Sequence, residues 1–126
     1  MAVDAIILFG HGSRDPQWHQ PMLDIASRMR VSAPGTPVRC AYLELTEPDL
    51  PSVVAELLAL GARHVRVVPL FLGMGRHARE DLPRIADELR RHHEGLTLEL
   101  APAVGQSPTL LDFLASLALH GESRGS

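Results

Sequence analysis

No lysine occurs among the 126 residues; all twelve basic side chains are arginine. That excludes Schiff-base and lysine-nucleophile chemistry. The single cysteine, Cys40, excludes an internal disulfide, a paired-cysteine redox motif and a thiolate metal cage. Inside an apolar run it reads as a small buried residue. No apolar run approaches the ~20 residues needed to cross a bilayer. No basic segment leads into a long apolar stretch, as a secretory leader would require. The cytoplasm is therefore the expected compartment, with no membrane partner. Surplus positive charge is missing too: the formal net charge is −3, which gives no general affinity for nucleic acid.

What is present fits one soluble domain, with 45% hydrophobic and 21% charged residues. Short apolar runs at 5–9, 38–44, 65–71 and 96–100 predict strands. Between and after them, Met22, Ile25, Ala26 and Met29 keep helical spacing, as do Leu50, Val53, Val54, Leu57 and Leu58. Leu82, Ile85, Ala86 and Leu89 follow the same rule, and so do Leu110, Leu111, Leu114 and Leu117. Asp15-Pro16, Asp81 and Ser107-Pro108 read as helix starts, Gly61 and Gly95 as helix ends. The order βαβαβαβα predicts an α/β domain of three layers. Its four-stranded, mostly parallel sheet would be apolar on both sides, covered by helices on both faces and wound like flavodoxin. Residues 1–119 form the expected domain and 120–126 a frayed tail.

Two histidines stand just past strand ends. His11 lies in Phe9-Gly10-His11-Gly12-Ser13-Arg14 after the first strand, and His77 in Leu72-Gly73-Met74-Gly75-Arg76-His77 after the third. In such a sheet the carboxyl ends of the strands share one edge, where ligands bind. Glu44 closes the second run and joins them there. Two imidazoles and a carboxylate without thiolate suit Fe²⁺, Co²⁺, Ni²⁺ or Zn²⁺ and leave positions open. A hydrogen-bonding turn residue is the plainer role for either histidine, and a cap or solvent-facing group for Glu44. The remaining histidines are weaker candidates: His64 sits at the opposite edge, His92 and His93 end a helix, His120 lies in the tail, and His19 opens the first helix beside the cleft. Arg14, Arg76 and Arg79 flank the histidines and suit carboxylates or phosphates. Gly10, Gly12, Gly73 and Gly75 allow close backbone approach. Phe71, Leu72 and Met74, with Trp18 and Met22, add apolar surface. The set suits a large, flat, polyanionic ligand that meets a metal.

The segments Ile7 to Arg14, Ala41 to Pro48 and Val68 to Pro83 resemble the short form of the CbiX-type sirohydrochlorin chelatases, the class II tetrapyrrole chelatases. The likeness covers roughly residues 5–115, and Gly75-Arg76-His77-Ala78-Arg79-Glu80-Asp81-Leu82-Pro83 is its most specific part. The resemblance implies insertion of Co²⁺, Fe²⁺ or Ni²⁺ into sirohydrochlorin, in cobalamin or sirohaem biosynthesis, by a cytoplasmic homodimer. It implies that His11 and His77 bind the metal and help remove pyrrole protons, with Glu44 assisting. Arg14, Met74, Gly75, Arg76 and Arg79 would then seat the macrocycle. The metal is a substrate, and no organic cofactor is expected. A histidine has an ordinary pKa of ~6.5 and accepts protons at neutral pH. Two rivals use the same residues differently. A histidine phosphatase would carry arginine where Gly10 stands, and a metal or tetrapyrrole carrier would use the same ligands without accelerating insertion. Ser13 lies outside any GxSxG elbow, which disfavours hydrolase chemistry.

Overall fold

The computed structural model describes residues 3–122. Strand β1 (Ala5–Gly10) leads through a 3-10 turn (Pro16–His19) into helix α1 (Gln20–Ser32). Then follow β2 (Val38–Tyr42), α2 (Leu50–Ala59), β3 (His64–Pro69), α3 (Arg76–His92) and β4 (Thr97–Leu100). A second 3-10 turn (Val104–Gln106) precedes α4 (Pro108–His120). The sheet order is β2-β1-β3-β4 and every pairing is parallel, so the winding is flavodoxin-like. The chain leaves β1 toward one side for β2 and toward the other for β3. The crevice therefore opens beyond the carboxyl ends of β1 and β3.

Two clusters fill the layers. On one face Ile7, Phe9, Val65 and Val67 pack with Leu50, Val53, Leu57, Leu82 and Ala86 of α2 and α3. On the other, Leu8, Val38 and Tyr42 pack with Met22 and Ala26 of α1. Each such leucine, removed from water, contributes about 2 kcal/mol. Helix α4 buries none of its residues, and none of its leucines joins either cluster among the described residues.

Several expectations shift. The runs to 44 and 71 overshoot the strands, although the ladder continues: Leu43 N–H donates to Gly10 O (3.0 Å), Glu44 N–H to His11 O (3.1 Å) and Leu70 N–H to Phe9 O (2.8 Å). Strand β3 is not apolar on both sides. Its second face carries His64 and Arg66, and Glu99, opposite Arg66 on β4, accepts from the guanidinium and lies 3.5 Å from His64 Nε2. That guanidinium holds the Glu99 carboxyl below its ordinary pKa. Cys40 is half-buried beside the α1 cluster, and burial pushes its thiol pKa up. Asp15 caps the 3-10 turn rather than α1, its Oδ1 accepting from Gln17 N–H at 3.0 Å. Asp81 starts no helix, because α3 begins five residues earlier at Arg76. Ala78 and Leu82, four apart and both buried, anchor its first two turns. Pro83 is carried inside the helix. His120 belongs to α4, Gly121 caps it, and residues 123–126 of the expected tail lie outside the described residues.

Candidate metal and macrocycle site

His11 follows the last residue of β1. Its carbonyl accepts the Glu44 amide, which draws the segment after β2 alongside. Gly12 makes that approach possible: at φ +100°, its missing Cβ would lie 1.8 Å from Glu44 O. The result sets His11 Nε2 3.6 Å from Glu44 Oε1, with both side chains more than half exposed (60% and 54%). This distance exceeds a good hydrogen bond, so the pair is open to an incoming ion. Phe71 stands edge-on to the imidazole, ring centres 6.4 Å apart at 85°.

Two clefts meet at His11. One, about 750 Å³, is lined by His11, Glu44, Arg76, His77 and Asp81 over Leu43 and Phe71. The other, about 840 Å³, is walled by Trp18, Met22, Ile25, Tyr42, Leu72 and Val104. Its size suits a substantial organic ligand. His11, Phe71 and Gly73 line both. One flank of the histidine therefore faces polar and charged groups, and the other faces hydrocarbon.

His77 sits in the first turn of α3 rather than in a loop. It lines the same polar cleft as His11 and Glu44. Among the described residues no three His, Cys, Asp or Glu side chains are grouped tightly enough to enclose a metal ion. The arrangement is thus a close pair, His11 and Glu44, with a third donor across an open cleft. Such a site suits transient handling of a metal better than storage.

The other expected site residues separate. Arg76 and Gly75 line the polar cleft, and Arg76 pairs with Glu80, Nε to Oε1 3.2 Å, with both side chains exposed. A surface pair of this kind contributes little, so the guanidinium is available to another carboxylate. Arg14 and Arg79 are exposed, line neither cleft and make no ion pair among the described residues. Met74 is half-buried against the main core and lines neither cleft. Trp18 and Met22 do face the apolar cleft, as does His19. Tyr42, Ile25, Leu70 and Val104 add walls that sequence reasoning assigned to strands, helix or nothing. Asp81 adds a carboxylate that it used as a helix cap. For Tyr42 a signal existed: it pairs with Gly10 in the ladder, next to His11.

A family model, CbiX, matches residues 5–119. The chain is 33% identical over 92 residues to the sirohydrochlorin cobaltochelatase of Methanocaldococcus jannaschii, covering 73% of this chain and 64% of that protein. It is 30% identical over 118 residues to the chloroplastic sirohydrochlorin ferrochelatase of Arabidopsis thaliana, covering 93% of this chain and 52% of that one. The chain thus spans less than two thirds of these relatives. A CbiX protein of Marinobacter aquaeolei VT8, solved by crystallography, superposes with a TM-score of 0.78 at 35% identity, over 91% of this chain and 93% of its own. No described helix is long and apolar enough to cross a membrane.

Proposed function

The chain belongs to the CbiX family, and from that premise we propose that it inserts a divalent metal into sirohydrochlorin. Co²⁺ and Fe²⁺ are the first candidates, because relatives carry the names cobaltochelatase and ferrochelatase; Ni²⁺ is the third. The product would feed cobalamin or sirohaem biosynthesis. The observation that carries the reading is the position of His11 on the ridge between an apolar and a polar cleft. A macrocycle on the apolar side and a metal ion on the polar side would meet at that imidazole.

The reaction balances without redox change: one divalent ion enters and two pyrrole protons leave. His11, Glu44 and His77 would hold the incoming ion with positions left open, in place of the water it sheds. A neutral imidazole takes a departing proton at neutral pH, and the Glu44 carboxylate takes or relays another. Arg76, with Arg79 three residues on and Arg14 three residues after His11, would hold carboxylates on the macrocycle rim by paired hydrogen bonds. Gly75 leaves backbone uncovered at that rim, and Met74 supports the turn from below. No organic cofactor is needed. The same reading places the chain in the cytoplasm as a homodimer. Helix α4 supports the dimer: it is apolar nearly all round, with Asp112 its one acidic residue, and while Leu110, Leu114 and Leu117 are half-buried, Leu111, Phe113 and Leu119 stay exposed in its own subunit.

The test follows the absorbance of sirohydrochlorin under anaerobic conditions with Co²⁺, Fe²⁺ and Ni²⁺ in parallel. Wild-type protein should accelerate insertion over the uncatalysed reaction at equal metal. The double variant His11→Ala/His77→Ala should lose on the order of 100-fold or more of that rate. A wild-type rate equal to the uncatalysed one, or a double variant at full rate, would overturn the proposal.

A further inference from the structure

His19 faces the apolar cleft without belonging to the His11–Glu44 pair. Its Nε2 accepts the backbone N–H of Ser13 at 3.2 Å. Its ring lies against Tyr42, centres 4.6 Å apart and tilted by 40°. An imidazole nitrogen that accepts from an amide directs its lone pair at that N–H. The lone pair that would ligate a metal from Nε2 is already engaged. His19 therefore has a different task from His11.

That task is visible in the bonds of the intervening loop. Asp15 N–H donates to Ser13 Oγ (3.0 Å), Gln17 N–H to Asp15 Oδ1 (3.0 Å) and Trp18 N–H to Asp15 O (3.0 Å). The His19 ring then returns to the Ser13 amide and closes the loop on itself. Three consecutive residues are thus fixed: His11 through its carbonyl to Glu44, Gly12 by contact with Glu44 O, and Ser13 through His19. Tyr42, at the end of β2, is the floor on which this clasp rests.

We infer that His19 is a positioning residue: by holding the Ser13 amide it fixes the loop that presents His11 to both substrates. The inference rests on the proposed role of His11 in metal insertion. Reacting groups must be held closely, and a displacement of about 1 Å costs as much as 100-fold in rate.

The full chain serves for the test, with two substitutions. His19→Phe keeps a ring on Tyr42 and removes the acceptor; His19→Gln removes the ring and restores an acceptor. One readout is hydrogen exchange of the Ser13 amide by NMR, and the other is kcat and KM for Co²⁺ insertion into sirohydrochlorin. In His19→Phe the amide should exchange on the order of tenfold faster, consistent with loss of one hydrogen bond. The kcat should fall on the order of tenfold while KM for the macrocycle stays within about twofold. His19→Gln should recover most of both protection and kcat. Unchanged Ser13 protection in His19→Phe would overturn the clasp. Lost protection with unchanged kcat would overturn its positioning role, as would a change confined to KM, which would mark His19 as cleft wall. A wild-type protein without chelatase activity would overturn the proposed function and the catalytic half of this inference together. The exchange data would still decide the hydrogen bond.

Discussion

Gly12 carries more of the site than its size suggests. Its φ of +100° lies where L side chains are strained, and the space for a Cβ is taken by the Glu44 carbonyl at 1.8 Å. Gly12→Ala should cost about 2 kcal/mol or more, from left-handed backbone strain plus displacement of the neighbouring segment. Urea unfolding would read this as a lower midpoint at an unchanged slope, and an unchanged midpoint would contradict the account. At this scale sequence reading reached far: His11, Glu44 and His77 do line one cleft. It reached less far for residues whose chemistry is silent. Tyr42 and Leu70 look like strand residues because they end or extend strands, and only the switch in strand order puts them on the wall of the apolar cleft. Met74 sat in the right loop, but the side chain turned to the core.

At the scale of the element, one expected side-chain cap stands where it was read: Ser107 caps α4. Asp49 caps α2 without having been read as a helix start, and the Ser52 amide lies 2.9 Å from its carboxylate. The missed start of α3 shows the converse: Gly75 caps it with no side-chain bond, so nothing in the sequence marks the turn. Asp81-Leu82-Pro83 imitates a start there, since proline ordinarily belongs to a first turn. The Asp49 cap gives a pH prediction. Hydrogen bonds from the Ser52 hydroxyl and amide hold the Asp49 carboxyl below its ordinary pKa. A group depressed on folding stabilises the native state fully above its unfolded pKa of ~3.9, and that stabilisation is lost as pH falls through the lower folded value. Asp49→Ala should therefore lose about 1 kcal/mol at neutral pH. Thermal melts of variant and wild type should converge in the acid range below about pH 4. A difference that persists there would assign the effect to packing rather than to the charge.

At the scale of the whole molecule, the order of elements and the single parallel sheet were legible because apolar period and turn residues alternate without conflict. The packing of α4 was not, because its leucines satisfy a helical pattern whatever covers them. Spaced around a helix, its apolar residues span about 240°, whereas a helix lying on one sheet needs little more than about 100°. Leu111, Phe113 and Leu119 stand 48%, 63% and 78% exposed. In the proposed homodimer this excess is covered by the second copy. Light scattering on the eluting protein should give a dimer mass for wild type and a monomer mass for Leu111→Glu/Leu119→Glu with helical content retained. A dimer that survives both charges would move the interface elsewhere.

Because His11 lines two clefts that otherwise share only Phe71 and Gly73, the two reactants of the proposed insertion would approach the imidazole through separate openings, with only the macrocycle rim reaching across to Arg76. Neither has to depart before the other enters, and neither has to arrive first. A catalyst so arranged would take its two reactants in either order, with insertion waiting only until both stand at the imidazole.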